Sequence, residues 1–118
     1  MLFEVKVEAY NAKNEKKSFL YITEQPTFGG AEERAVKFTS DAGFTDITVK
    51  AIKLSKINLI VDESILLTPF VIHTEIEVND TVIKEQILAC YSSIDDAAKI
   101  ETEGEIKKIV SSKIMEII

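Results

Sequence analysis

Apolar and polar residues alternate with a period of two at the start of the chain, where Phe3, Val5, Val7 and Ala9 interleave with Glu4, Lys6 and Glu8. That period predicts a half-buried strand. Asn11 to Lys17 is polar and lysine-rich and reads as a hairpin connection, and Ser18 to Thr23 is aromatic and β-branched, as a returning strand should be. Pro26 closes it. Gly29-Gly30 then opens a helix over Ala31 to Ala42, with Ala31, Arg34, Ala35 and Phe38 at helical spacing and Gly43 past its end. Glu32 and Glu33 are expected in its first turn, where the helix dipole favours negative charge.

Ile47, Val49 and Ala51 alternate in one phase and Ile52 and Leu54 in the other. A change of phase within a strand predicts a β-bulge. Ile57 to Val61 continues this strand or begins the next, and Asp62 to Pro69 is a break. Phe70 to Val78 alternates again, Asn79-Asp80 supplies a two-residue turn, and Thr81 to Tyr91 returns. Ser92-Ser93 is an N-cap signal followed by Asp95 and Asp96, opening a second helix that Gly104 stops. Ile106 to Ile118 reads as one final strand.

Both halves thus run strand, strand, helix, strand. Ala31-Glu32-Glu33-Arg34-Ala35 aligns with Ile94-Asp95-Asp96-Ala97-Ala98. The string Ser55-Lys56-Ile57-Asn58-Leu59-Ile60 aligns with Ser112-Lys113-Ile114-Met115-Glu116-Ile117. The expected fold is α+β: one domain, residues 1–118, of two ββαβ-like halves (1–61 and 68–118) that form one mostly antiparallel sheet with two helices on one face.

The opening Phe3-Glu4-Val5-Lys6-Val7, the lysine-rich hairpin, the strand ending in Thr23-Glu24 and the Ala31–Ala35 helix resemble a family of small uncharacterised proteins found in Bacteroidota and their phages. The resemblance covers Phe3 to about Val61; the second half matches in element order alone. The tryptophan common near that family's start is missing here. The resemblance implies a phage or mobile-element context and carries over no site residue.

Composition narrows the chemistry. With 118 residues, 46% of them hydrophobic, the chain has the size of one globular domain and is too apolar for a disordered segment. Cys90 is the single cysteine and His73 the single histidine, which excludes an internal disulfide and a multi-histidine or multi-thiolate metal site within one chain. A net charge of -6 removes the general drive toward nucleic acid, which comes from basic surfaces that release counterions. The start of the chain lacks a secretory pattern and no apolar run approaches the ~20 residues of a membrane helix, so a cytoplasmic location is expected, that of the host cell if the protein is phage-encoded. All basic residues but Arg34 are lysines, and isoleucine is frequent, as AT-rich coding favours.

No nucleotide-loop or catalytic motif is present, and no cofactor or metal is expected. Four residues are candidate ligand contacts. Lys56 and Lys113 occupy equivalent places in the repeat and could hold an anion between them; the plain alternative is protection of strand edges. Arg34 is the lone guanidinium. His73 should point away from Phe70, Ile72 and Ile76, as a surface imidazole able to meet phosphate. Cys90, in an apolar stretch, reads as a buried thiol. The function expected is a non-enzymatic binding protein that occupies a host protein or sequesters a small anionic, nucleotide-like ligand. The alternative is a nucleic-acid accessory protein acting through an open sheet face. A homo-oligomer is compatible with either.

Overall fold

The structure, a computed structural model, describes residues 1–61 and 67–118. Of the break expected at Asp62–Pro69, positions 62–66 lie outside the described residues. The fold is α+β: eight strands and two helices among the described residues, in the order β1 (Leu2–Tyr10), β2 (Lys16–Glu24), α1 (Phe28–Asp41), β3 (Thr45–Leu54), β4 (Leu59–Ile60), β5 (Thr68–Val78), β6 (Thr81–Tyr91), α2 (Ile94–Ala97), β7 (Glu105–Ser111) and β8 (Glu116–Ile117).

The single sheet expected from the sequence is instead two four-stranded mixed sheets, ordered β3-β1-β2-β8 and β4-β6-β5-β7. They belong to two compact units, Met1–Ser55 with Ile114–Ile118, and Lys56–Lys113. The final apolar run is likewise two strands. β7 pairs antiparallel with β5, whereas β8 runs parallel to β2. Register explains the division. Ser112 N donates to the Pro69 carbonyl at the end of the β5–β7 ladder, and Met115 N donates to the Leu20 carbonyl where the chain enters the other sheet.

Each unit has the same internal plan. A hairpin (β1–β2 or β5–β6) is followed by a helix, and the next strand lies antiparallel beside the hairpin's first strand. A two-residue strand, which in sequence follows the third strand of the other unit, runs parallel to the hairpin's second strand: β4 after β3 pairs with β6, and β8 after β7 pairs with β2. The aligned strings lead into these short strands with matching bonds. Ser55 N donates to Leu2 O as Ser112 N does to Pro69 O, Asn58 N to Gln86 O as Met115 N to Leu20 O, and Val61 N to Leu88 O as Ile118 N to Ile22 O.

In the first unit Phe3, Val5, Val7 and Tyr21 face Ala31 and Ala35 of α1, with Phe38, Val49, Ile52 and Ile118 around them. Their alternation on β1 is the period the sequence displays. The helix starts earlier than expected. Thr27 is its N-cap and accepts from Gly30 N at 3.0 Å, so the first turn holds Phe28, Gly29 and Gly30 and carries no acid. Glu32 and Glu33 therefore lie beyond the turn in which the dipole would have favoured them. Gly43 takes φ +92, the left-handed conformation that ends a helix at low cost for glycine alone.

In the second unit Ile72, Ile87 and Ala89 pack with Tyr91, Ile100, Ile106 and Ile109. Asn79 and Asp80 both have positive φ, 51 and 63, as a type I′ hairpin turn requires. Ser93 caps α2 by accepting from Asp96 N.

The bulge expected near Ala51 is present and has a counterpart. Along β1–β3, Lys6 pairs with Ala51 and Val7 with Val49, leaving Lys50 as the extra residue. Along β5–β7, His73 pairs with Lys108 and Thr74 with Ile106, leaving Lys107 extra. The added residue lets side chains three apart, Val49 and Ile52 or Ile106 and Ile109, reach one core.

Candidate functional site

The second bulge builds the site. Successive strand residues point to opposite faces. At a bulge one of them is re-aimed, and Lys107 and Lys108 both line a groove of about 490 Å³ on the face opposite Ile72 and Ile87. His73 sits between Lys108 on β7 and Gln86 on β6, which are its register partners. Asn58 extends the row, its Oδ1 accepting from Gln86 N at 2.8 Å and its own N–H donating to the Gln86 carbonyl. Lys56, Lys84, Thr74, Glu75 and Glu85 complete the polar lining.

Four lysines against two glutamates make this groove locally cationic on a chain of net charge -6. The lysines are not equivalent. Lys84 stands 3.8 Å from Glu75, and Lys107 is bound at 3.0 Å to Glu105. That bond, with the Glu105 charge and a contribution from Glu75, raises the Lys107 pKa above its ordinary value. Lys56 and Lys108 have no ion-pair partner among the described residues. They are the cations whose charge is uncompensated.

Of the four candidate residues, the structure brings Lys56 and His73 together in this groove. His73 is half-buried, between Ile72 and Thr74, which are buried, as the alternation implies. Lys113 is exposed and does not line the groove; its place in the repeat leads into β8 of the first unit. Arg34 lies on α1 of the first unit, its guanidinium 5.8 Å from the Phe38 ring centroid in a cation–π contact. Cys90 is buried.

Sequence reasoning missed Lys84, Lys107, Lys108 and Gln86. Adjacent Lys107 and Lys108 within an otherwise alternating strand carried a signal, a change of phase like the one read at Ala51–Ile52. No protein-family model, curated protein or solved structure matches the chain.

The repeat supplies an internal comparison instead. The counterparts of His73, Gln86, Lys108 and Asn58 in the first unit are Lys6, Leu20, Ala51 and Met115, by the matching pairs and bonds. Three polar positions of the groove are apolar in the other copy. The shared backbone therefore does not require polar side chains there. Among the described residues no group of three or more His, Cys, Asp or Glu side chains is arranged to hold a metal ion, and no helix is long and apolar enough to cross a membrane.

Proposed function

We propose that this chain is a non-enzymatic binding protein that sequesters a small anionic, nucleotide-like ligand in the second unit's groove. The observation that carries the reading is the pair of uncompensated ammonium groups, Lys56 and Lys108, sharing one groove with His73, where the first unit carries Leu20, Ala51 and Met115 at three of the matching positions. Lysine is a flexible point donor suited to phosphate oxygens. The Gln86 carboxamide beside His73 offers a donor and an acceptor together, the pattern that reads a base edge. Binding rather than turnover is favoured because no hydrogen bond among the described residues links His73 to a nucleophile or an orienting carboxylate. The phage or mobile-element setting implied by the Phe3–Val61 resemblance suits a protein that acts by removing a ligand from circulation.

Native mass spectrometry of freshly purified protein, followed by calorimetric titration with nucleoside mono-, di- and triphosphates and inorganic phosphate, tests this. Bound nucleotide is expected, with Lys56→Ala and Lys108→Ala each weakening it about five-fold, the size of one solvent-screened charge contact of ~1 kcal/mol. Bare protein from every expression host, together with no heat from any of these anions, would overturn it. Preference for single-stranded oligonucleotides over mononucleotides would favour the nucleic-acid reading instead, against which stands a groove lining without Phe, Tyr or Trp side chains among the described residues.

A further inference from the structure

β6 is paired with β5 along its whole length but with β4 only at Ile87 and Leu88. Its outer edge has a known parity. Gln86 exchanges two bonds with Asn58 on that side, and the Leu88 carbonyl accepts from Val61 N. In an antiparallel ladder, groups turned away from one neighbour recur at every second residue, so the N–H and C=O of Val82 and Lys84 also face outward. Among the described residues nothing bonds to them there. Beside the charged Lys84 and Glu85 the same stretch carries two solvent-exposed apolar residues, Val82 54% and Ile83 43% exposed.

We propose that this edge is a homodimer interface, in which β6 of one copy pairs antiparallel with β6 of a second copy and Val82 lies on the twofold axis. A twofold contact must be self-complementary, and an axis within the free stretch falls at Val82, Ile83 or Lys84. An axis at Lys84 opposes two lysines and needs the Gln86 groups that Asn58 already occupies. An axis at Ile83 sets Lys84 against Val82. An axis at Val82 sets Lys84 opposite Asp80 of the second copy, twice, while Val82 meets its own counterpart and Ile83 meets Thr81. This register alone pairs opposite charges and covers both exposed apolar residues. The pairing stops where Asn58 begins to cover Gln86, so the free edge and the proposed contact have the same extent. The axis stands perpendicular to the sheet, which places the groove-bearing faces of the two copies on the same side. The interface goes beyond the ligand reading and does not depend on it.

Sedimentation velocity of the full chain from micromolar to millimolar concentration is expected to show a species of twice the 13.2 kDa chain mass. Val82→Pro should return it to monomer with an unchanged circular dichroism spectrum, because the N–H removed points away from β5. Val82→Cys should form a covalent dimer on mild oxidation, since hydrogen-bonded antiparallel partners lie about 5.5 Å apart at Cα, inside the disulfide range. Cys90 is buried and gives little background. A wild-type monomer at millimolar concentration, a dimer that survives Val82→Pro, or cross-linking at Ile83→Cys in place of Val82→Cys would each overturn the proposal.

Discussion

The Tyr21 hydroxyl lies 2.8 Å from Thr39 Oγ1, and Thr39 Oγ1 in turn donates to the Ala35 carbonyl at 2.8 Å. Thr39 has one hydroxyl proton, so Tyr21 is the donor to it. This relay ties β2 to α1 inside the first core, where both residues are buried and the Tyr21 pKa is pushed up chiefly by burial. Tyr21→Phe leaves the Thr39–Ala35 bond intact and should cost about 1 kcal/mol. Thr39→Val strands a buried phenol and should cost more, about 1–3 kcal/mol. Urea denaturation of both single variants and the double variant measures the difference. A double variant no worse than Thr39→Val confirms that the two hydroxyls act as a unit.

Two glycines should respond differently to a methyl group. A Cβ on Gly104 would stand 2.8 Å from the Glu75 carbonyl oxygen and 3.0 Å from its carbon, both backbone atoms that cannot swing aside. Gly104→Ala should therefore destabilise by about 1–3 kcal/mol, the usual cost of overpacking. A Cβ on Gly29 meets nothing nearer than Thr27 Oγ1 at 3.9 Å, and the residue is helical. Gly29→Ala should be neutral or stabilising by up to ~1 kcal/mol, the propensity difference in a helix. Thermal melts should show Gly104→Ala below wild type and Gly29→Ala at or above it.

What the sequence made legible was local or repeated. Strand alternation, the Asn79-Asp80 turn, the Gly43 helix end and the phase change in β3 are each set by a few neighbouring residues, and each is present. The number of sheets was not legible, because it depends on pairing between residues far apart in sequence. Ile106–Ile118 carries no proline or glycine, so nothing local announced that it divides. The clue lay in the repeat: Ser55-Lys56 separates β3 from β4, and Ser112-Lys113 separates β7 from β8 in the same way. The groove was half legible for a related reason. His73 followed from alternation, whereas the lysines beside it needed the register of β7 and the position of its bulge.

Glu8 gives the first unit an acid-sensitive contact. Its carboxylate is 3.2 Å from Lys16 and 3.6 Å from Lys50, the bulge residue of β3. The bond from Lys16 does most to hold the Glu8 pKa below its ordinary 4.5; burial opposes it, and the Lys50 charge adds to the lowering. A folded-state pKa below the unfolded value contributes stability that is present above the unfolded pKa and is lost as pH falls through the folded one. Glu8→Gln should therefore melt below wild type at neutral pH, and the gap should close as pH drops below 4.5. Melting temperatures of both proteins across the acid range test this, and a gap independent of pH counts against it.

The bulge residues themselves allow a test by deletion. Removing Lys107 leaves Ile106 opposite Thr74 and Lys108 opposite His73, which is the regular alternation of an unbulged strand. The core positions of Ile106 and Ile109 are kept, so the deletion should fold and cost about 1 kcal/mol or less, a typical surface loss. Deleting Val110 is different. If the strand absorbs that loss by giving up its bulge, Lys108 moves into the place of Ile109 and faces Ile72 and Ile87. A lysine there has no partner, and the expected cost is above about 3 kcal/mol. Urea denaturation of the two deletions should separate them clearly, with only the Lys107 deletion retaining a cooperative transition near that of wild type. The Lys107 deletion should also bind anions more weakly than wild type while staying folded, which separates the bulge's part in the groove from its part in the core.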